Sequence, residues 1–203
     1  VLIAPARHPI TLAKEVGTLD MYSGGRVLLG IGTGGLREEG EILGVDFDRR
    51  WAQGKEVVEA LKELWTKEES EYTGKYYTFP PVYNFPKPAA RPHPPIILGS
   101  RAANAFKRIA AWGDGWLPLD ITAEEVAHGR SELDRLAKLN GRDPKSIEIS
   151  VMGVPPDAES IERYTEAGAD RIVLGASGQE DDMESMEEVA SDLERLVEEL
   201  PGP

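Results

Sequence analysis

Glycines placed directly after an apolar run carry the first chemical signal of the chain. Val27-Leu28-Leu29-Gly30-Ile31-Gly32 leads into Thr33-Gly34-Gly35. Residues without a Cβ let a planar ring or a phosphate come close to the backbone. The spacing of Gly30, Gly32 and Gly35 matches the dinucleotide fingerprint G-x-G-x-x-G. That fingerprint also requires a long helix at once and a second strand ending in an acid about 20 residues on. Here Asp46 and Asp48 stand beside Arg49 and Arg50, where the next long helix is expected to begin, with no strand to carry them. A dinucleotide fold is therefore not expected. The second candidate is Gly99-Ser100-Arg101, between the apolar run Ile96-Ile97-Leu98 and a helix expected over about 102–112. A strand end facing a helix N-terminus offers free N–H groups and partial positive charge to a phosphate, and Arg101 adds charge. The plainer reading of the same residues is a tight turn with Ser100 as helix cap.

What is missing narrows the chemistry further. The chain has no cysteine, which excludes a disulfide scaffold, thiolate metal ligands and a cysteine nucleophile. Its three histidines, His8, His93 and His128, are scattered, and acids never join them at ligand spacing, so no metal centre is expected. His8 follows an apolar stub and is a candidate for facing a pocket; His93, between prolines, reads as a packing residue. A formal net charge of -13 argues against a nucleic-acid or anionic-membrane surface. Much of that charge lies at 180–199, where Met183, Met186, Val189, Leu193, Leu196 and Leu200 recur at helical spacing. An amphipathic tail helix with a wet acidic face is expected there. No apolar run reaches the roughly 18 residues of a membrane span, and no leader pattern opens the chain, so a cytoplasmic location is expected.

The elements that must position these residues alternate. The stub 1–5 reads as the end of a buried strand, and a strand beginning at residue 1 suggests that something precedes it. Pro9 to about Tyr22 reads as a helix with Leu12, Val16 and Leu19 on its inner stripe, stopped by Gly24 and Gly25. The strand around 27–32 follows, then a short helix over 38–43 and a longer one over 50–65 facing inward through Val57, Val58, Leu61, Leu64 and Trp65. Residues 68–95 carry Tyr72, Tyr76, Tyr77, Phe79, Tyr83 and Phe85 among Gly and Pro, as an irregular excursion folded over something. Strands are then expected at 96–99, 116–118, 147–151 and 171–175. Helices are expected at 102–112, 124–140 (Val126, Leu133, Leu136 and Leu139 inward) and 160–167. Gly113-Asp114-Gly115 reads as a left-handed helix exit. Strands that are apolar throughout and separated by helices belong to a parallel sheet covered by helices. The pattern alone leaves open a doubly wound sheet and a barrel; a full (β/α)8 barrel usually takes about 250 residues, more than the 203 here.

A longer string of matches goes further. Leu19-Asp20, Ser23-Gly24-Gly25-Arg26, Leu29-Gly30, Gly32-Thr33-Gly34 and Glu38-Glu39 resemble the luciferase-like monooxygenase superfamily, flavin- and deazaflavin-dependent oxidoreductases. Gly44 with Phe47 and Arg49, the 56–65 helix, Pro86-Lys87-Pro88, 91–96, Gly99-Ser100 and 113–116 follow in family order. The resemblance implies an α/β fold of the (β/α)8 TIM-barrel type, incomplete in this chain, which would run from the end of the third strand through the eighth βα unit as one partial domain, 1–203. It implies hydride transfer or oxygen insertion on a small organic substrate. Cofactor contacts fall on Gly32, Thr33, Gly34, Glu38, Gly99, Ser100 and Arg101. The resemblance points to no catalytic residue in this chain, because the family carries part of its catalytic pocket on the first two βα units, which by this register are expected before Val1. Gly35 and Gly40 depart from the family, which often has Trp and Phe there. The deazaflavin coenzyme F420 is preferred to FMN, on the string from Leu19 to Arg26. The net charge opposes the acidic tail of F420 unless Arg37 and Arg101 concentrate locally. An open barrel exposes sheet edges, so a homodimer or higher homo-oligomer is expected. The competing expectation is a non-catalytic truncated barrel that only folds and self-associates.

Overall fold

A computed structural model describes residues 1–174 together with 190, 191, 194 and 195. The expected amphipathic tail helix therefore lies almost wholly outside the described residues. Two compact units carry the chain: Val1–Ser100 with Trp112–Asp114, and Arg101–Ala111 with the described part of Gly115–Pro203.

In the first unit β1 (Leu2–Ile3), β2 (Leu29–Gly32) and β5 (Ile96–Leu98) form a parallel ladder, with Leu2 opposite Ile31 and Ile31 opposite Leu98. Side chains alternate across a strand. Leu29, Ile31, Ile96 and Leu98 therefore share one face and are buried under the helices. Gly30, Gly32 and Ile97 take the other face, and Gly99 continues it by donating its N–H to the Ile31 carbonyl at 2.9 Å. Helix α1 (Pro9–Ser23) ends at Gly24, whose φ of 69° is open to glycine at little cost. After α2 (Arg37–Ile42), helix α3 (Arg50–Thr66) buries Val57, Val58, Leu61, Leu64 and Trp65 as the spacing predicts. Its Trp65 indole donates to the Ala13 carbonyl at 2.9 Å, fixing α3 against α1. Leu19 is a correction: it is 62% exposed, so the inner stripe of α1 runs through Leu12, Ala13 and Val16 instead.

Residues 68–95 contain regular structure that aromatic content and prolines concealed. Strands β3 (Glu69–Thr73) and β4 (Thr78–Tyr83) pair as an antiparallel hairpin, with a bulge between Ser70 and Tyr72. Pro80 and Pro81 are tolerated because a two-stranded ribbon consists only of edges.

The second unit has β6 (Gly115–Trp116), β7 (Glu148–Val154) and β8 (Arg171–Leu174), again parallel and neighbouring in chain order. Helix α4 (Ala105–Trp112) precedes β6, and α5 (Ala123–Leu139) and α6 (Ala158–Glu166) separate the three strands. Helix α4 starts at Ala105, not Ala102, because Ala105 first closes a turn onto the Ala102 carbonyl. Leu139 is 71% exposed at the last turn of α5, outside the inner stripe of Val126, Leu133 and Ala137. Helix α5 starts with a capping box between Thr122 and Glu125. It carries Gly129 where a Cβ would come within 2.3 Å of the Trp116 ring, so that indole packs on the helix backbone.

A buried carboxylate sets the frame of the first unit. Asp20 has no exposed surface; one oxygen accepts from Val27 N–H at 3.2 Å and the other from Ala90 N–H at 2.8 Å. It thereby ties the approaches to β2 and β5 to the end of α1. The 113–115 turn is a related device and not a left-handed exit, since neither glycine has positive φ. Asp114 accepts from Ile96 N–H at 3.0 Å and donates its own N–H to the Ile96 carbonyl. Asp170 treats Ile149 the same way in the second unit. Replacing Asp20 by Ala orphans two backbone donors and should lower stability by about 3 kcal/mol, read as a fall in the urea midpoint at constant slope.

Candidate functional site

Parallel βα folds place ligands at the C-terminal ends of their strands. In the first unit those ends are Pro5 after β1, Gly32 to Gly34 after β2, and Gly99 after β5. Gly32 and Gly99 are neighbours on the sheet face that carries no helix-packing side chains. The space their missing side chains leave is taken by Val1. A Cβ on Gly99 would lie 2.7 Å from Val1 Cγ1, and one on Gly32 would lie 3.0 Å from Val1 Cγ2. Val1 is itself 70% exposed, so it lies on the glycine floor without being locked there. Beyond it the floor is open: Gly34 has only Ile3 at 3.7 Å and the Glu39 carboxylate at 4.0 Å around a virtual Cβ, and Gly35 has nothing within 4 Å.

The other expected site residues take different positions. Thr33 is buried, and its methyl group packs on α3 where Gly54 gives it room. Glu38 is exposed in the first turn of α2; Glu39, not Glu38, leans toward Gly34. Ser100 adjoins Gly99 and is half-buried, but it lies ahead of Ala105, so it does not occupy the cap position of α4. Arg101 belongs to the second unit, where its guanidinium donates to the Asp120 carbonyl at 3.0 Å and to the Glu125 carboxylate at 3.3 Å. The structure thus gathers Gly32, Thr33, Gly34, Gly99 and Ser100 at one set of strand ends and gives Arg101 work elsewhere.

A wall beside this floor was hidden in the aromatic stretch. Tyr77, just before β4, donates its hydroxyl to the Pro5 carbonyl at 3.1 Å, and its ring meets His8 edge-on at 6.3 Å. Burial, and then the nearby Glu56 charge, pushes the Tyr77 hydroxyl up, so it stays protonated and a donor. His8 caps α1 by accepting from Ile10 N–H at Nδ1, 3.3 Å away. Glu56 on α3 accepts from the N–H groups of Lys75 at 2.9 Å, Tyr76 at 2.7 Å and Tyr77 at 3.3 Å. This one carboxylate docks the hairpin turn on α3, and Tyr72 adds a 2.8 Å bond to Glu59. The run of tyrosines was a visible signal; that a helical Glu anchors them was not.

A separate cavity of about 440 Å³ in the first unit is lined by Trp65, Phe85, Lys87 and Arg91. It lies by the end of α3 and ahead of β5. Lys87 there donates to the Leu64 carbonyl at 2.7 Å and closely to that of Lys67, so it caps α3. Burial lowers its pKa. Among the described residues, no group of three or more His, Asp or Glu is placed to hold a metal ion. No described helix is long and apolar enough to cross a membrane. The arrangement at the strand ends can offer backbone to a flat ring and a shielding aromatic wall.

Known proteins share this chain's sequence pattern and fold. Residues 1–197 match the family model described as luciferase-like monooxygenase. An uncharacterized protein of Mycobacterium tuberculosis is 35% identical over 202 residues, which are 97% of this chain and 67% of the relative. The FMNH2-dependent dimethylsulfone monooxygenase of Pseudomonas putida is 34% identical over 158 residues, 76% of this chain and 43% of the enzyme. Among solved structures, the coenzyme F420 dependent tetrahydromethanopterin reductase of Methanopyrus kandleri has a TM-score of 0.72 at 16% identity, covering 93% of this chain and 79% of that one. This likeness of fold, with parallel strands laid down in one direction of chain order within each unit, decides for the (β/α)8 type over a doubly wound sheet. The parallel strands described are fewer than a closed barrel needs.

Glu56→Ala should release the hairpin turn and cost about 2 kcal/mol, since three backbone donors lose their acceptor. Amide exchange at residues 75–77 should quicken more than that of the buried strand β5.

Proposed function

Because the chain belongs to the luciferase-like monooxygenase family, we propose that it holds a flavin or deazaflavin ring at the ends of β2 and β5 and serves an oxidoreductase acting on a small organic substrate. The observation that carries this reading is the floor formed by Gly32, Gly34 and Gly99. Cβ atoms there would occupy the space a flat ring needs, and the backbone N–H groups beyond it can reach a ring edge or a phosphate. The bound ring would supply the redox chemistry. The chain's own part is to position it, with Tyr77 and Pro5 as one wall and Glu39 near Gly34.

The choice between F420 and FMN turns on charge. The string from Leu19 to Arg26 favours F420, whose tail is acidic. However, Arg37 is paired with Asp48 at 2.6 Å, which holds that carboxyl below the usual range, and Arg101 is paired with Glu125. Neither cation is in reserve for an anionic tail, and this favours FMN. The two weigh against each other, and one titration separates them.

Absorbance titration of the full chain with F420 and with FMN should show saturable binding of at least one. Gly99→Leu should weaken it about tenfold or more while leaving the melting temperature within a few degrees, because the side chain it displaces, Val1, is mostly exposed. Val1→Ala should bind at least as tightly as the unaltered chain. Failure to bind either cofactor, or full affinity in the Gly99 variant, would remove the site from these strand ends.

A further inference from the structure

The second unit presents its own strand ends, and one side chain there has no partner among the described residues. Asp120, after β6, adopts φ of 51°, and it is the one non-glycine residue with positive φ among those described. Its N–H reaches the Met152 carbonyl at 3.4 Å, and Leu119 bridges to Met152, so the segment is laid along β7. Opposite it β7 bulges between Met152 and Val154, with Gly153 at φ of 81°. A Cβ on Gly153 would fall 2.8 Å from Asp120 Oδ1 and 3.6 Å from Leu119 Cδ1. Glycine at 153 therefore lets the carboxylate lie against the β7 backbone, with Leu119 beside it.

That carboxylate accepts no hydrogen bond and joins no ion pair among the described residues. The neighbouring structural tasks are filled by others. Thr122 caps α5, and Glu125 takes the Arg101 guanidinium. Arg101 touches Asp120 only through the backbone carbonyl, which steadies the strained residue without neutralising its charge. If the turn needed only a left-handed backbone, Gly would serve at lower conformational cost. In a chain of formal charge -13, an anion without a cation partner among the described residues adds repulsion. Strained residues at strand ends commonly mark ligand contacts.

We propose that Asp120 is a specificity-determining residue that receives an ammonium or hydroxyl donor of a substrate whose apolar body rests on Leu119, which is 53% exposed. Its charge repels phosphate and carboxylate, so it serves the substrate and not the anionic part of a cofactor. This rests on the reading of the strand ends as the ligand-binding end, but not on which cofactor is bound.

The probes are n-hexylammonium, 1-hexanol and hexanoate, titrated into the full chain at low ionic strength and followed by amide chemical shifts. Hexylammonium should bind with shifts centred on 119–121 and 152–154, hexanol more weakly, and hexanoate not at these residues. Asp120→Asn, which tolerates the left-handed backbone, should weaken hexylammonium about tenfold. Asp120→Gly should abolish that binding yet raise the melting temperature, because strain is relieved. If Asp120→Gly is more stable and binds hexylammonium like the unaltered chain, or if the unaltered chain gives no such shifts, Asp120 is only a turn residue and the proposal falls. F420 and FMN titrations on the same variants keep the two readings apart. Asp120 substitutions should leave cofactor affinity unchanged, whereas absent cofactor binding with intact Asp120-dependent hexylammonium binding overturns the proposed function alone.

Discussion

A carboxylate with no exposed surface must have its acceptors filled, and Asp20 fills them from two distant backbones. Val27 leads into β2 and Ala90 precedes β5, so this one side chain holds the two strands' approaches at the end of α1. Strand register follows: Leu29 is set opposite Ile96 and Ile31 opposite Leu98. With the starts fixed and the strands short, the ends are fixed too. That is why Gly32 and Gly99 arrive side by side at the end opposite Asp20. The floor of the candidate site is thus positioned from the far end of the sheet by a residue that never approaches it.

The same economy is seen at the edges of the site. Glu56 gathers three N–H groups of one turn and so brings Tyr77 over Pro5. Thr33 and Gly54 are matched in size, methyl against missing methyl, which lets α3 lie close behind the β2 end. Polar groups here act mainly as fasteners of backbone. The chemistry of a family in which the cofactor does the redox work asks little more of the protein than position and shielding.

Much of this was legible in the sequence. Helix α3 could be read from Val57, Val58, Leu61 and Leu64, because a wide apolar stripe at helical spacing has one solution. The parallel class followed from strands apolar on both faces. The hairpin at 69–83 was not legible, since Pro80, Pro81 and the bulge after Ser70 break the alternation that announces a strand. The start of α4 was misplaced because Gly99-Ser100 looks like a cap, whereas the chain needs a further turn before Ala105. Leu139 keeps the helical spacing yet is the last residue of α5, and Leu19 flanks a stripe of α1 that continues through the buried Asp20 instead. Among the site residues, glycines announced the floor; Val1 lying on it, Arg101 turning to Glu125 and Glu39 replacing Glu38 depend on tertiary placement that no local pattern encodes.

Hydrogen exchange of the full chain with and without saturating FMN or F420 tests the central claim most directly. Added protection is expected at the amides of 33–35 and 99–100, the backbone of the glycine floor, with smaller changes at 75–77. Protection confined to the residues around Trp65, Phe85 and Lys87, or exchange at the floor unchanged under a cofactor shown to be bound, would contradict it.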